Sequence, residues 1–179
     1  MYYESRRPGK RISVRKGISM ARYNKIFAAL DGGDTQLAVA RRALSIAHDN
    51  NAEALFVHAI ETIAERNWKN DEEVAEAFEK VRLGIEESLD KQLSRARRDD
   101  CIPSVTVEVK PGRVETALEN AAKKAGADLV VCGVRGLSSV KYAFVGSVST
   151  HLIRHMDCDV LVVHPEAIED IDEAEYESC

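Results

Sequence analysis

The sequence predicts an α/β protein built as a doubly wound, five-stranded parallel sheet with helices on both faces. Three observations carry that reading. Five apolar runs of strand length alternate strictly with stretches of helical periodicity. Glycine, proline, asparagine or aspartate punctuates the junctions. The run at 128–132 is continuous in its apolar character, as a strand covered on both faces should be. Right-handed crossovers then leave only a few arrangements of such a sheet.

The run 24–30 (NKIFAAL) is stopped by Asp31-Gly32-Gly33, which predicts a buried strand and a turn. Asp34 can cap the next helix through its carboxylate, and Leu37, Ala40, Leu44 and Ala47 give that helix one apolar face. Asn50-Asn51 ends it, and 54–60 (ALFVHAI) is the second strand. Val74, Phe78, Val81, Ile85, Leu89 and Leu93 then predict one amphipathic helix closing near 98–100. Its charged face over 69–100 should meet solvent. Val105, Val107 and Val109 alternate with polar residues, as in a strand with one buried face. Pro111-Gly112 turns the chain into a helix carrying Val114, Ala117, Leu118, Ala121 and Ala125, with Gly126 as its C-cap. The fourth strand is 128–132 (DLVVC). The last helix opens at Gly146-Ser147 with Val148, Leu152 and His155 on one side, and 159–163 (DVLVV) is the fifth strand.

A chain of 179 residues has room for one such domain with tails. Residues 1–19 carry six cations and one acid, and residues 166–179 carry seven acids and no cation. Both read as solvated tails: a basic arm over 1–19 and an acidic tail over 166–179, flanking a domain over 20–165. No apolar run approaches the ~20 residues that span a bilayer, and the first residues lack the apolar segment of a secretory signal. The expectation is a cytoplasmic protein with no membrane partner. Nucleic acid is not expected as a partner either, except through the basic arm. No pair among Cys101, Cys132, Cys158 and Cys179 has C-x-x-C spacing. In a reducing cytosol the first three are expected to behave as small buried hydrophobes.

In open parallel sheets, ligands sit beyond the carboxyl ends of the strands where the winding reverses. Two strand ends here carry suitable chemistry. The first ends at Asp31, which can contact a metal or a ribose, or cap its own turn. The fourth runs into Gly133-Val134-Arg135-Gly136 and, nine residues on, Gly146-Ser147-Val148-Ser149. Gly133 lacks the Cβ that would keep a ligand from the backbone, and Gly136 suits a tight turn. Gly146-Ser147 opens a helix, whose free N–H groups favour phosphate. The Ser147 and Ser149 hydroxyls can add hydrogen bonds, and Arg135 or Lys141 can offset charge. The spacing G-x2-G-x9-G-S is neither a Walker A loop nor a dinucleotide fingerprint.

That spacing, carried whole by Gly133, Gly136, Gly146 and Ser147, resembles the ATP-binding signature of the universal stress protein family. The run from Val130 to Val163, the first strand with its terminal Asp31, and Val57-His58-Ala59 on the second are also similar, so that the likeness covers about residues 22–165. The resemblance implies a Rossmann-like sheet in the order 3-2-1-4-5 and an ATP site at its switch point. It places Ala29, Asp31 and Ala59 near base and ribose. Gly133, Arg135 and Gly136 would border ribose and phosphates. Gly146, Ser147, Val148 and Ser149 would hold the phosphates, with Mg²⁺ or Mn²⁺ between them. It also implies a homodimer joined through the strand at 159–163. Two departures stand out. Asp159 replaces a frequent proline, and Gly-Gly-Asp follows Asp31 where relatives often carry serine or asparagine.

Catalytic chemistry is harder to find. No nucleophile stands beside a base in a recognisable arrangement, and nothing is evidently placed to orient water against a γ-phosphate. ATP binding with slow or no hydrolysis is the expectation, set against a weak ATP hydrolase and a nucleotide-free dimeric scaffold. The segment 31–35 lacks the leading serine of the loop found in ATP pyrophosphatases. His151 and His155, four apart, read as helix-surface residues rather than zinc ligands, and His58 reads as a satisfied core residue.

Overall fold

The computed structural model describes residues 23–33, 35–61, 71–134 and 146–164. The strands are β1 (Lys25–Leu30), β2 (Glu53–Ile60), β3 (Val105–Pro111), β4 (Leu129–Gly133) and β5 (Asp159–Val163). The helices are α1 (Gln36–Asn50), α2 (Asp71–Ser88), α3 (Asp90–Ala96), α4 (Val114–Ala125) and α5 (Ser147–His155). All strand pairs are parallel and the sheet order is β3-β2-β1-β4-β5, as expected. β1 is central, with Ala28 in register with Phe56 on one side and Val131 on the other.

The period of two along each strand divides the core into two layers. Ile26, Ala28 and Leu30 pack with Ala54 and Phe56 against Val39 and Ala43 of α1 and Ile85, Leu89 and Leu93 of α2–α3. On the opposite face Phe27, Ala29, Val57, Ala59, Val130 and Cys132 pack against Leu118 and Ala122 of α4 and Leu152 of α5. Burying such side chains is the main term holding the sheet between its helices, at about 1.5–3 kcal/mol for each large one.

Asp128 ties the start of β1 to the start of β4. Its carboxylate accepts the backbone N–H groups of Asn24 at 2.8 Å and Lys25 at 3.1 Å. Asn51 (φ 52°) and Gly126 (φ 68°) end α1 and α4 in the left-handed region, which exposes their N–H groups to the last carbonyls of each helix. Beside β5, the Tyr23 hydroxyl donates to Asp159 at 2.7 Å, and that bond raises the phenol pKa above its ordinary value.

Three local expectations are corrected. Leu37 is exposed, whereas Ala40, Leu44 and Ala47 are buried as expected, joined by Gln36, Val39 and Ala43. The N-cap position falls at Thr35, whose side chain makes no cap bond, while Asp34 lies outside the described residues. The helix expected from Val74 to Leu93 is two helices. Leu89 leaves helical geometry (φ −112°, ψ 14°) while staying buried, so the apolar stripe continues across the break.

The same stripe gives a stability test. Leu89→Ala removes a fully buried side chain and should cost about 2–5 kcal/mol in urea unfolding. Leu83→Ala, at a side chain 51% exposed on α2, should change stability by less than about 0.5 kcal/mol.

Candidate functional site

β1 and β4 run side by side, yet their crossover helices, α1 and α5, pack on opposite faces of the sheet. The chains leaving their carboxyl ends therefore diverge and leave a crevice. Asp31 stands at its edge. One carboxylate oxygen accepts the Gly33 N–H at 2.9 Å, and the other accepts the Thr35 hydroxyl at 2.6 Å. Gly32 makes the turn possible with φ 73°, a region side-chain-bearing residues rarely adopt.

Thr35 is 1% exposed and lies over the end of β4. A Cβ on Gly133 would fall 2.4 Å from the Thr35 hydroxyl oxygen and 2.8 Å from its Cβ. The glycine expected to admit a ligand thus admits Thr35, which joins the β1 turn to the end of β4.

Beyond this contact opens a cleft of about 440 Å³. Ala29 and Asp31 line it from β1 and the turn, and His58, Ala59 and Glu61 from β2 and beyond. Gly133 and Val134 line it from β4, and Gly146, Ser147, Val148 and Ser149 from the start of α5. Eight of the ten residues expected at the site therefore share one cleft. The other two, Arg135 and Gly136, lie outside the described residues, as does Lys141.

The small side chains have a positional meaning. Phe27 and Val57 fill the α4 face of the sheet, but the next residues on that face are Ala29 and Ala59. The surface drops away there, and Val114 and Leu118 of α4 face the space. The result is an apolar wall at one side and the amino end of α5 at the other. Gly146 precedes α5 in an extended conformation (φ −62°, ψ 167°), and the Ser149 hydroxyl donates to its carbonyl at 3.1 Å. Ser147 is exposed and lines the cleft together with Glu115 of α4. Such a helix start can hold an anion through backbone N–H groups and the helix dipole.

Several cleft residues were not singled out for the site from sequence. His58, expected in the core, is half-buried at the cleft, and its Nδ1 donates to the Leu30 carbonyl at 3.0 Å. That bond leaves Nε2 as the acceptor of the neutral ring. Glu115 sits in the first turn of α4. Its own backbone N–H, followed by Arg113 and Ser147, holds its carboxyl below the ordinary value against the opposing effect of burial. Cys132 lines the cleft as a free thiol whose pKa burial pushes up to about 11, so it packs rather than reacts. Cys101 is buried, but its sulfur is in a disulfide rather than a thiol, which corrects the expectation of a reduced cysteine, and Cys158 is only half-buried.

The remaining histidines lie elsewhere. His151 bonds Glu119 at 2.7 Å and stacks on His155 with centroids 4.3 Å apart, while Lys123 holds the same carboxylate. His48 meets Asp99 at 2.7 Å near the far end of α1, where the Cys101 sulfur also lies within 4.8 Å. Among the described residues no helix is long and apolar enough to cross a membrane.

Fold and cleft together define a Rossmann-like α/β protein with a concave site at its topological switch point. The profile of the universal stress protein family matches residues 22–164, and the chain belongs to that family. A Staphylococcus haemolyticus protein assigned to the universal stress proteins is 29% identical over 150 residues, 83% of this chain and 89% of that one. The solved UspA from Lactobacillus plantarum superposes with TM-score 0.65 at 23% identity, over 80% of this chain and 99% of that one. A universal stress protein solved in complex with cAMP gives TM-score 0.60 at 24% identity, over 81% of this chain and 99% of that one. At these identities the solved structures speak to the fold.

The Thr35–Gly133 contact makes a direct prediction. Gly133→Ala should destabilise the ligand-free protein by about 1–3 kcal/mol in denaturant unfolding, because the new methyl overlaps a buried side chain. Thr35→Ala in the same chain should recover part of that loss by removing the closest atom.

Proposed function

We propose that the cleft binds ATP as its Mg²⁺ or Mn²⁺ complex, and that the protein is a homodimeric stress-response module whose nucleotide state is read by a partner. One observation carries this reading. Gly133, Gly146 and Ser147 of the glycine signature meet Ala29, Asp31 and Ala59 in a single cleft of about 440 Å³. That volume lies within the ~300–1,000 Å³ usual for small-molecule sites.

The residues fit the parts of such a ligand. Ala29, Ala59, Val114 and Leu118 offer an apolar surface to a planar base. Asp31, held by Gly33 and Thr35, presents acceptors for ribose hydroxyls or a metal. The N–H groups from Ser147 to Ser149 suit phosphate oxygens. The cation would neutralise phosphate charge. Holding the nucleotide needs only these groups; cutting it would need a base and an aligned water as well. Binding with slow or no hydrolysis is therefore the preferred reading.

The dimer is proposed through residues 159–163. β5 is an edge strand with a free side in the described sheet, and edges of this kind pair readily with a second copy. Cytoplasmic residence belongs to the same reading.

A thermal-shift titration tests the nucleotide reading. ATP with Mg²⁺ at about 100 times its Kd should stabilise the chain by about 2.7 kcal/mol, a shift of several degrees. In Gly146→Val the ligand-free Tm should stay near the parent value and the shift should vanish, because a branched side chain crowds the start of α5. No shift with ATP, ADP or cAMP in the parent chain would defeat the reading.

A further inference from the structure

Away from the cleft, at the edge of the sheet where the strands begin, three metal-ligating side chains come together. α1 starts at the carboxyl edge with Gln36 and ends at the opposite edge with Asn50, about 20 Å away at ~1.5 Å per residue. His48 lies in its last turn. The connection from α3 to β3 brings Asp99 and Cys101 beside it. One Asp99 carboxylate oxygen meets His48 Nδ1 at 2.7 Å, and the other accepts the Cys101 N–H at 2.9 Å. The Ile102 N–H donates to the Asp99 carbonyl at 3.0 Å, so a single turn carries both residues. Among the described residues, this is the one group in which three such ligand atoms lie within 4.8 Å of one another. The His48 and Asp99 side chains are only 22% and 20% exposed, and Cys101 is buried.

Cys101 brings a second sulfur with it. It is disulfide-bonded, and of the other cysteines Cys132 and Cys158 are free, which leaves Cys179 as its partner within the chain. Reduction therefore yields two thiols where an imidazole and a carboxylate already stand. Thiolate sulfur and imidazole nitrogen suit Zn²⁺ rather than Mg²⁺ or Ca²⁺, which take oxygen. Ligands about 2.0–2.3 Å from a tetrahedral ion stand roughly 3.3–3.8 Å from one another. His48 and Asp99 need to part by less than about 1 Å to reach that spacing, exchanging a shared proton for the ion.

We propose that His48, Asp99, Cys101 and Cys179 form a redox-controlled Zn²⁺ site, in which the oxidised chain holds the disulfide and the reduced chain holds the ion. Two electrons from a dithiol reductant open the S–S bond, and the two thiols give up their protons to solvent as Zn²⁺ binds. Hydrogen peroxide runs the change backwards. The two thiolates pass two electrons to its O–O bond and the S–S bond forms. Two protons from solvent complete two waters, and Zn²⁺ leaves. The switch exchanges a covalent tie between Cys101 and the acidic segment 166–179 for a metal-dependent one. Nucleotide binding does not enter into it.

The test is calorimetric titration of the full chain with Zn²⁺, once oxidised and once reduced with a phosphine, freed of reductant and kept under argon. The reduced chain should take up one equivalent, and the oxidised chain should bind at least about a hundredfold more weakly. His48→Ala and Asp99→Asn, reduced in the same way, should each weaken uptake by at least about tenfold. Cys158→Ser, at the half-buried free thiol, should leave it unchanged. Hydrogen peroxide added to the zinc-loaded chain should release the ion to a zinc-sensitive dye, and mass spectrometry should find the Cys101 and Cys179 peptides joined. Cys101→Ser should abolish uptake; if it does not fold, Cys179→Ser decides, losing both the disulfide and the tight uptake. No uptake by the reduced parent, or uptake unaffected by His48→Ala and Asp99→Asn, overturns the site. Equal uptake by the oxidised chain overturns its redox control.

Discussion

The site depends on one close approach, that of Thr35 to Gly133. β1 and β4 are neighbours in the sheet, but the chains that leave them go to opposite faces. Something must hold the two exits in register. Asp31 does so by taking the Thr35 hydroxyl and the Gly33 N–H, which fixes Thr35 against the end of β4. The contact is possible only because residue 133 has no Cβ. The position of the cleft relative to both strands follows from it.

The cleft itself follows from the sheet's period of two. Phe27 and Val57 fill the face beneath α4 and α5, and two residues later the same face carries only Ala29 and Ala59. Small side chains at the carboxyl ends of adjacent strands leave a hollow without disturbing the core behind them. Leu118 closes one side of it and the start of α5 another. Stability and binding thus draw on the same strands but on different residues of them.

Much of this was legible in the sequence. Apolar runs separated by helical periodicity give the parallel sheet, and the spacing from Gly133 to Ser147 marks the second half of the site. Other features arise from contacts between distant segments. Thr35 against Gly133 and His58 against the Leu30 carbonyl both need the crossovers to be folded before the partners meet. Periodicity also misjudged Leu37, since Val39 and the alanines, with Leu44, supply the buried face of α1. The break at Leu89 was invisible because both helices keep the same apolar stripe. Gly133 was singled out for the right place, but its missing Cβ serves the packing of Thr35.

The central claim is that a nucleotide is held between the β1 turn and the start of α5. Amide hydrogen exchange, measured with and without ATP and Mg²⁺, tests it most directly. The account predicts slowed exchange at Gly32–Gly33 and from Ser147 to Ser149, with α2 and α3 unchanged. Protection confined to α2 and α3, or none in the cleft at saturating nucleotide, would contradict it.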